Sequence, residues 1–118
     1  MSIDNLFDNG KIAVAIRTAR TALGWSQQEL AERLRVAKST VARIETLEMA
    51  ARGDFVIKAI QLFRQAGVEI DLSDVKGLPI RISGPAILDA VRALGDESKR
   101  RSDRRVGIAA LLPEREDN

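Results

Sequence analysis

The spacing of apolar residues near the start of the chain predicts a first helix over about residues 10–22. Its apolar face recurs at i, i+4, i+7 and i+11, as one side of a helix does: Ile12, Ile16, Ala19 and Leu23. Arg17 and Arg20 are expected to point away from this face, and residues 2–9 are expected to form a short lead-in. Gly24 follows as a helix C-terminal glycine.

Two further short helices are predicted between Ser26 and Glu45. Ser26 suits a helix N-cap, and Glu29 three residues later completes a capping box. An apolar face follows at helical spacing, and the pattern restarts after residues 35–37. The two faces hold Leu30, Ala31, Leu34, Val41 and Ile44. A connection this short makes the two helices cross steeply. Trp25 precedes the cap at a hydrophobic-staple position, so we expect it to stabilise the fold rather than to bind a partner.

Residues 46–53 are expected to form a loop, and Asp54 is expected to cap a fourth helix that ends at Gly67. This helix carries more apolar side chains than one face can hold: Phe55, Ile57, Ala59, Ile60, Leu62, Phe63 and Ala66. We therefore expect the fourth helix to be well buried.

Between residues 68 and 82 the pattern changes to strict alternation, which predicts a β-hairpin around the loop SDVKG. The alternating apolar positions are Val68, Ile70, Leu72, Leu78, Ile80 and Ile82. A two-stranded hairpin is only marginally stable alone. It must therefore pack on the helices or pair edge to edge with a second copy across a two-fold axis.

The last third predicts one more helix and a charged end. The helix begins at residues 83–85 (Ser-Gly-Pro), with Pro near the first helical position, and its apolar stripe is Ile87, Leu88, Val91 and Leu94. Residues 99–105 hold five cations within seven residues. They form either a basic arm that touches phosphates or a solvated segment. Residues 106–112 (VGIAALL) are apolar and are expected to dock, either on this chain or on a partner.

The outward side of the third predicted helix carries only hydrogen-bond donors near its N-terminus. These are Lys38, Ser39, Thr40 and Arg43, and no carboxylate stands among them. A solvated helix face usually mixes both signs of charge, so this face suits an electronegative partner. The major groove of B-DNA accepts a helix whose N-terminal donors reach the base edges.

Residues 26–45 resemble the helix-turn-helix of the Cro/C1 (XRE) family of repressors. Counted from Gln27, small Ala31 is fifth, and the apolar positions four, eight, ten, fifteen and eighteen are also filled: Leu30, Leu34, Val36, Val41 and Ile44. Gln27 and Glu45 match the first and nineteenth positions. The ninth position, usually a left-handed Gly, is Arg35 here, which predicts a slightly strained or reshaped turn at a cost of roughly 1 kcal/mol.

This resemblance, which covers about residues 9–67, implies the architecture and the binding residues. The fold class is mainly α: a lambda-repressor-like bundle of four helices, followed by a short β-hairpin and a C-terminal helix. The implied DNA-binding residues are Gln27, Gln28, Lys38, Ser39, Thr40, Arg43 and Arg52. Gln27, with Gln28 in support, would bind phosphate, and Arg52 is either a backbone clamp or a solvated side chain. Glu45 is expected to bond a backbone group or a neighbouring Arg rather than to read cytosine.

Composition excludes several classes of function. The chain has no Cys and no His, so thiolate or imidazole metal sites and His-based catalysis are excluded. No phosphate loop or other catalytic constellation is present, so neither enzymatic activity nor a cofactor is expected. Ten Lys/Arg against seven Asp/Glu give residues 1–66 a net charge of +3, whereas nine against ten give the remainder −1. Without a signal or membrane-spanning pattern, a soluble cytoplasmic protein is expected.

The sequence therefore predicts a transcriptional regulator, a homodimeric repressor that binds a pseudo-palindromic DNA operator. Residues 1–67 would form the DNA-binding domain, 68–98 a possible dimerisation element, and 99–118 a charged and partly flexible tail. An alternative is an antitoxin or anti-activator that binds a partner protein through residues 84–118. A third possibility is that Arg35 and the mild net charge mark a degenerate motif that no longer binds specific DNA.

Overall fold

The computed structural model describes residues 3–95 of the chain, which form five helices and a two-stranded antiparallel sheet. In chain order these are α1 (Ile3–Ala22), α2 (Gln27–Leu34), α3 (Lys38–Glu45), α4 (Gly53–Gln65), β1 (Val68–Ile70), β2 (Ile80–Ile82) and α5 (Gly84–Gly95). The predicted fold class is confirmed. The basic segment 99–105 and the apolar segment 106–112 lie outside the described residues.

The core lies between α1, α2, α3 and α4, and β1 closes one end of it. Its buried side chains are aliphatic except for two phenylalanines: Ile16, Ala19, Leu30, Ala31, Leu34, Val41, Ile44, Phe55, Ala59, Phe63 and Val68. The apolar faces predicted for the two short helices are thus confirmed as core. Ala31, fully buried, lets α2 and α3 approach closely, since a longer side chain there would separate them.

The predicted lead-in over residues 2–9 is wrong, because α1 already begins at Ile3. The extra turns bury little apolar surface, since Leu6 is 51% exposed and Phe7 is 44% exposed. Their helicity follows from propagation, since each residue added to an existing helix gains one backbone hydrogen bond without the cost of nucleation. Apolar periodicity alone could not reveal turns that bury so little surface.

Lys11 is a buried cation that joins α1 to the hairpin loop. It is only 8% exposed. Its Nζ donates hydrogen bonds to the carbonyl oxygen of Leu72 at 2.8 Å and to that of Asp74, and it lies 5.4 Å from the centre of the Phe7 ring. Two carbonyl oxygens and an aromatic face replace the water that burial removes from the ammonium group. The middle of α1 is therefore connected to the loop between the strands.

Two expectations for the fourth helix are wrong. The residue at the N-cap of α4 is Arg52, without a side-chain hydrogen bond, and Asp54 lies within the first turn, where its charge favours the positive helix end. The helix is also less buried than expected. Phe55, Ala59 and Phe63 face the core, whereas Ile57 is 61% exposed, because a single layer of neighbouring helices covers only one side of α4.

The strands pair in the predicted alternation, with Val68 opposite Ile82 and Ile70 opposite Ile80. They are shorter than predicted, because polar side chains turn the chain at residue 71. Asp71 accepts hydrogen bonds from the hydroxyl and the backbone N–H of Ser73, which is an Asx turn. The Ser73 hydroxyl, followed by its N–H, lowers the pKa of Asp71 below its ordinary 3.8.

α5 packs on the bundle through small residues and leaves its apolar stripe outside. The hydroxyl of Ser83 accepts the N–H of Ala86 at 3.2 Å and caps the helix. Gly67, at φ +99°, has no room for a Cβ, which would lie 2.9 Å from the Ala86 side chain. Of the four predicted apolar residues, Ile87, Leu88 and Leu94 are 49–57% exposed.

Candidate nucleic-acid interface

The helix-turn-helix geometry is set by local contacts at both ends of α2. At its start, Ser26 and Glu29 form the predicted capping box: Ser26 Oγ accepts the N–H of Glu29, whose side chain accepts the N–H of Ser26. At its end, Arg35 adopts the left-handed conformation at φ 58° and ψ 45°. Arg35 therefore takes the left-handed conformation that the ninth position usually gives to Gly, and the strain expected there stays a prediction. The N–H of Val36 then bonds the carbonyl of Ala31 at 3.0 Å, which fixes the start of α3.

The solvent side of α3 presents three of the four predicted donors. Lys38, Ser39 and Arg43 are exposed, and Val41, Ile44 and Glu45 on the opposite side are buried. At 100° per residue, Ser39 and Arg43 lie about 40° apart around the helix axis. They therefore project together, and Lys38 lies at the edge of the same face. The structure thus places Ser39 and Arg43 on one exposed face, and their role in binding DNA stays a prediction.

Thr40 lies differently from the other three predicted donors. It is half-buried and lines a cavity between α3 and α4. Its helical position is about 100° from Ser39 on the side opposite to Lys38, and its side chain is partly covered there, where the cavity lies. Ala42 occupies the face instead, half-buried between Lys38 and Arg43. Sequence reasoning missed Ala42 because it searched for donors, although an alanine methyl can contact the methyl group of thymine.

Glu45 ties three helices together beneath the exposed face. It is 5% exposed. Its Oε2 accepts a hydrogen bond from Arg20 Nε at 2.7 Å, and its Oε1 accepts from Arg20 Nη2 at 3.0 Å. Its Oε1 also accepts from Gln27 Nε2 at 3.1 Å. The structural role predicted for Glu45 is thus confirmed.

Arg20 was predicted to point away from the core, and this is wrong. Its side chain is 17% exposed, and it donates to the carbonyl of Trp25 at 2.9 Å as well as to Glu45. A bidentate bond to a carboxylate offsets the cost of desolvating the guanidinium. The sequence carries no local signal for this pair, because Arg20 and Glu45 lie 25 positions apart.

The other predicted site residues lie around α2 and α4. Gln27, at the first position of α2, is half-buried by its bond to Glu45, whereas Gln28 is exposed and donates to Glu32 at 3.3 Å. The Arg52 side chain is 84% exposed and lies 3.5 Å from Asp54. Asp54 partly offsets the charge of Arg52, although an exposed pair of this kind contributes little energy.

Trp25 packs inside the domain rather than beside the exposed face of α3. Its ring stacks on Phe63 at 6.1 Å between centroids, and the Arg33 guanidinium lies 4.2 Å from its centroid. These contacts support its predicted structural role. Over the described residues, no group of acidic side chains could hold a metal ion, and no helix is long and apolar enough to cross a membrane.

Comparison with known families agrees with this geometry. A family model described as Helix-turn-helix matches residues 16–66, from the middle of α1 to the end of α4. The match confirms the predicted resemblance over this segment, and this family consists of DNA-binding regulators that are typically not enzymes. No curated protein and no solved structure gave a significant match to the chain.

Proposed function

We propose that this protein, whose residues 16–66 belong to the Cro/C1-type (XRE family) helix-turn-helix domains, represses transcription by binding a specific operator as a homodimer. The observation that carries the proposal is the solvent side of α3. It combines Lys38, Ser39 and Arg43 without a carboxylate, on a helix that the Glu45 contacts hold in place. Such a face suits the bases of a major groove, where Arg and Lys bind guanine and Ser binds several bases.

The N-termini of two helices supply phosphate contacts in this proposal. Gln27 Nε2 gives one of its two N–H groups to Glu45, so the second is free for a phosphate oxygen. At the start of α3, Ala37 occupies the N-cap without a side-chain hydrogen bond. The first N–H groups of α3 are therefore open to a phosphate, which the helix dipole favours. Arg52, exposed at the N-cap of α4, would add a further contact to the phosphate backbone.

This assignment is tested by sorting variants according to how they change DNA binding. The protein first selects a tightly bound duplex from a pool of random sequences. Each variant is then titrated with this enriched duplex and with a scrambled duplex as the reference. Ser39→Ala and Arg43→Ala should each cost about 1–3 kcal/mol on the enriched duplex and little on the scrambled one. Gln27→Ala and Arg52→Ala should weaken both duplexes, and Arg52→Ala should reduce the salt slope by about one.

Arg17→Ala is the matched control, because Arg17 is an exposed cation on α1 and is not among the proposed DNA-binding residues. It should leave affinity and salt slope at the wild-type values. If Ser39→Ala and Arg43→Ala weaken both duplexes equally, α3 does not read sequence, and the proposed specific recognition is wrong.

We place the dimer contact on α5. Ile87, Leu88 and Leu94 leave a largely uncovered apolar stripe there, as a homodimer interface requires. Edge-to-edge pairing of the hairpins stays a prediction. In a symmetric pairing of two hairpins, the central residue of the edge strand, Glu69 or Arg81, would lie opposite the same residue of the second copy. Like charges directly opposite each other are destabilising. A two-fold dimer would place two α3 helices roughly 34 Å apart on a pseudo-palindromic operator.

The same stripe favours a second candidate function, in which α5 and residues beyond it bind a partner protein, as in an antitoxin or anti-activator. Sedimentation of the purified chain distinguishes the two. A monomer at micromolar concentration that acquires a stoichiometric partner through residues 84–118 would support the second candidate. A dimer that binds DNA without a partner would support the first.

A further inference from the structure

We propose that a cavity behind α3 is an effector site for a small amphipathic carboxylate, and that its occupancy weakens DNA binding. The cavity has a volume of about 310 Å³ and lies between the turn after α2, α3, the following loop and α4. This volume is at the lower end of the range in which proteins bind small organic molecules. The effect on DNA rests on the proposed function, whereas binding of the carboxylate does not.

The floor of the cavity is apolar and belongs to the core. Leu34, Ile44 and Phe55 line it, and each is at most 8% exposed. Met49 and Ala50, from the loop before α4, form part of the wall. Burying a ligand methylene against such a surface strengthens binding about fourfold. An alkyl chain therefore has a site to occupy, whereas a small inorganic anion would leave this floor uncovered.

The rim of the cavity carries an excess of positive charge. Arg35, Arg52 and Lys58 line it together with a single carboxylate, Asp54. Asp54 is paired with Arg52, whereas Arg35 and Lys58 make no ion pair with any described residue. An adjoining groove shares Arg35 and Lys58, adds Arg33 and has no carboxylate in its lining. A ligand with an anionic head and an apolar tail matches both the rim and the floor.

The cavity is connected to the DNA-binding side through two residues. Thr40 reaches it from α3, and Arg52 reaches it from the N-cap of α4. A carboxylate that draws Arg52 toward the cavity removes that cation from the phosphate backbone. By linkage, DNA should then weaken carboxylate binding by the same factor as the carboxylate weakens DNA binding.

Binding is tested first without DNA, by calorimetry and amide NMR of the full chain with sodium octanoate. We expect saturable binding, with the largest shifts at residues 34–36 and 49–58, and affinity that rises about fourfold per methylene from butanoate until the cavity is full. Octylammonium should bind much more weakly than octanoate. Equal binding of the two ions, or shifts confined to α5, would overturn the site.

Two variants locate the binding, each with a matched control. Lys58→Gln should weaken octanoate binding two- to fivefold, as the loss of an exposed ion pair does. Lys76→Gln, an exposed cation in the hairpin loop, should not change it. Ala50→Phe should fill the cavity and abolish binding, whereas Ala50→Ser should retain it. If Lys58→Gln and Ala50→Phe both bind octanoate normally, the proposal is wrong.

The effect on DNA is measured last, with the enriched duplex and saturating octanoate. We expect a loss of affinity of fivefold or more in the wild type and none in Ala50→Phe. Octanoate that binds in the cavity without changing DNA affinity would overturn the effector role. A chain that binds no specific DNA would still show the octanoate titration, so failure of the proposed function can be distinguished from failure of the site.

Discussion

At the scale of single residues, Glu45 connects the fold to the candidate interface. It is a buried acid whose hydrogen bonds reach Arg20 in α1 and Gln27 in α2 from its own position in α3. The Glu45 carboxylate is the main partner of the Arg20 guanidinium, so each charge needs the other in order to stay buried. The geometry of the interface therefore depends on Glu45 and Arg20, to which the proposed function assigns no contact with DNA.

Glu45→Gln should lower the free energy of unfolding by about 3 kcal/mol, because it leaves the Arg20 guanidinium partly buried without its counter-charge. The measurement is urea unfolding followed by Trp25 fluorescence. Glu69→Gln, an exposed acid on β1, is the control and should stay within about 0.5 kcal/mol of the wild type. Equal stability of the two variants would mean that the buried pair does not hold the helices.

Arg35→Gly should raise the free energy of unfolding by about 0.5–1 kcal/mol, because glycine adopts φ 58° without the steric cost that Arg35 bears. Arg35→Val should lower stability, since a β-branched side chain is worse still in this conformation. The same urea experiment measures both changes. If stability does not follow the order Gly, Arg, Val, the turn is not strained.

At the scale of elements, helices with a strong apolar period could be predicted well, and those without one could not. Leu30, Ala31 and Leu34 repeat on one side and are buried as expected, whereas the first turns of α1 bury little and gave no pattern. Strand alternation predicted the pairing of Val68 with Ile82. The end of the first strand could not be predicted in this way, because the Asp71 side chain turns the chain before the alternating pattern ends.

The residues of the candidate site also divide into those that could be predicted from the sequence and those that could not. The helical period predicted which donors of α3 face outward, and the absence of carboxylates among them indicated an electronegative partner. Thr40 is the exception, because its orientation depends on where α4 packs. The bond from Arg20 to Glu45 could not be assigned from spacing, because it joins residues 25 positions apart. Contacts between elements depend on how they pack, and local patterns do not specify that packing.

The connection between α1 and the hairpin loop leads to a prediction at this scale. Lys11→Met keeps the apolar stem but leaves the carbonyls of Leu72 and Asp74 without their buried donor, which should cost about 1–3 kcal/mol. Amide hydrogen exchange should accelerate in residues 71–79 and much less in α3. Lys76→Met is the control. Unchanged exchange in the loop of the Lys11 variant would show that Lys11 does not anchor it.

At the scale of the whole molecule, the uncovered stripe of α5 predicts the oligomeric state. Leu88→Lys should convert the proposed dimer into a monomer, because it places a charge in the apolar contact, and it should leave the fold intact because Leu88 is 57% exposed. Analytical ultracentrifugation measures the mass. Val75→Lys, at an 83% exposed position in the hairpin loop, should remain dimeric. A dimeric Leu88 variant would exclude this interface.

Specific recognition of DNA by α3 is tested most directly by the ratio of two affinities. The full chain is titrated with duplex from the region upstream of its own gene and with a scrambled duplex, across a salt series near 150 mM. We predict a preference of roughly a thousandfold or more, with two protomers per site. Equal affinities that fall together with salt would show binding to the phosphate backbone alone and would contradict specific recognition by α3.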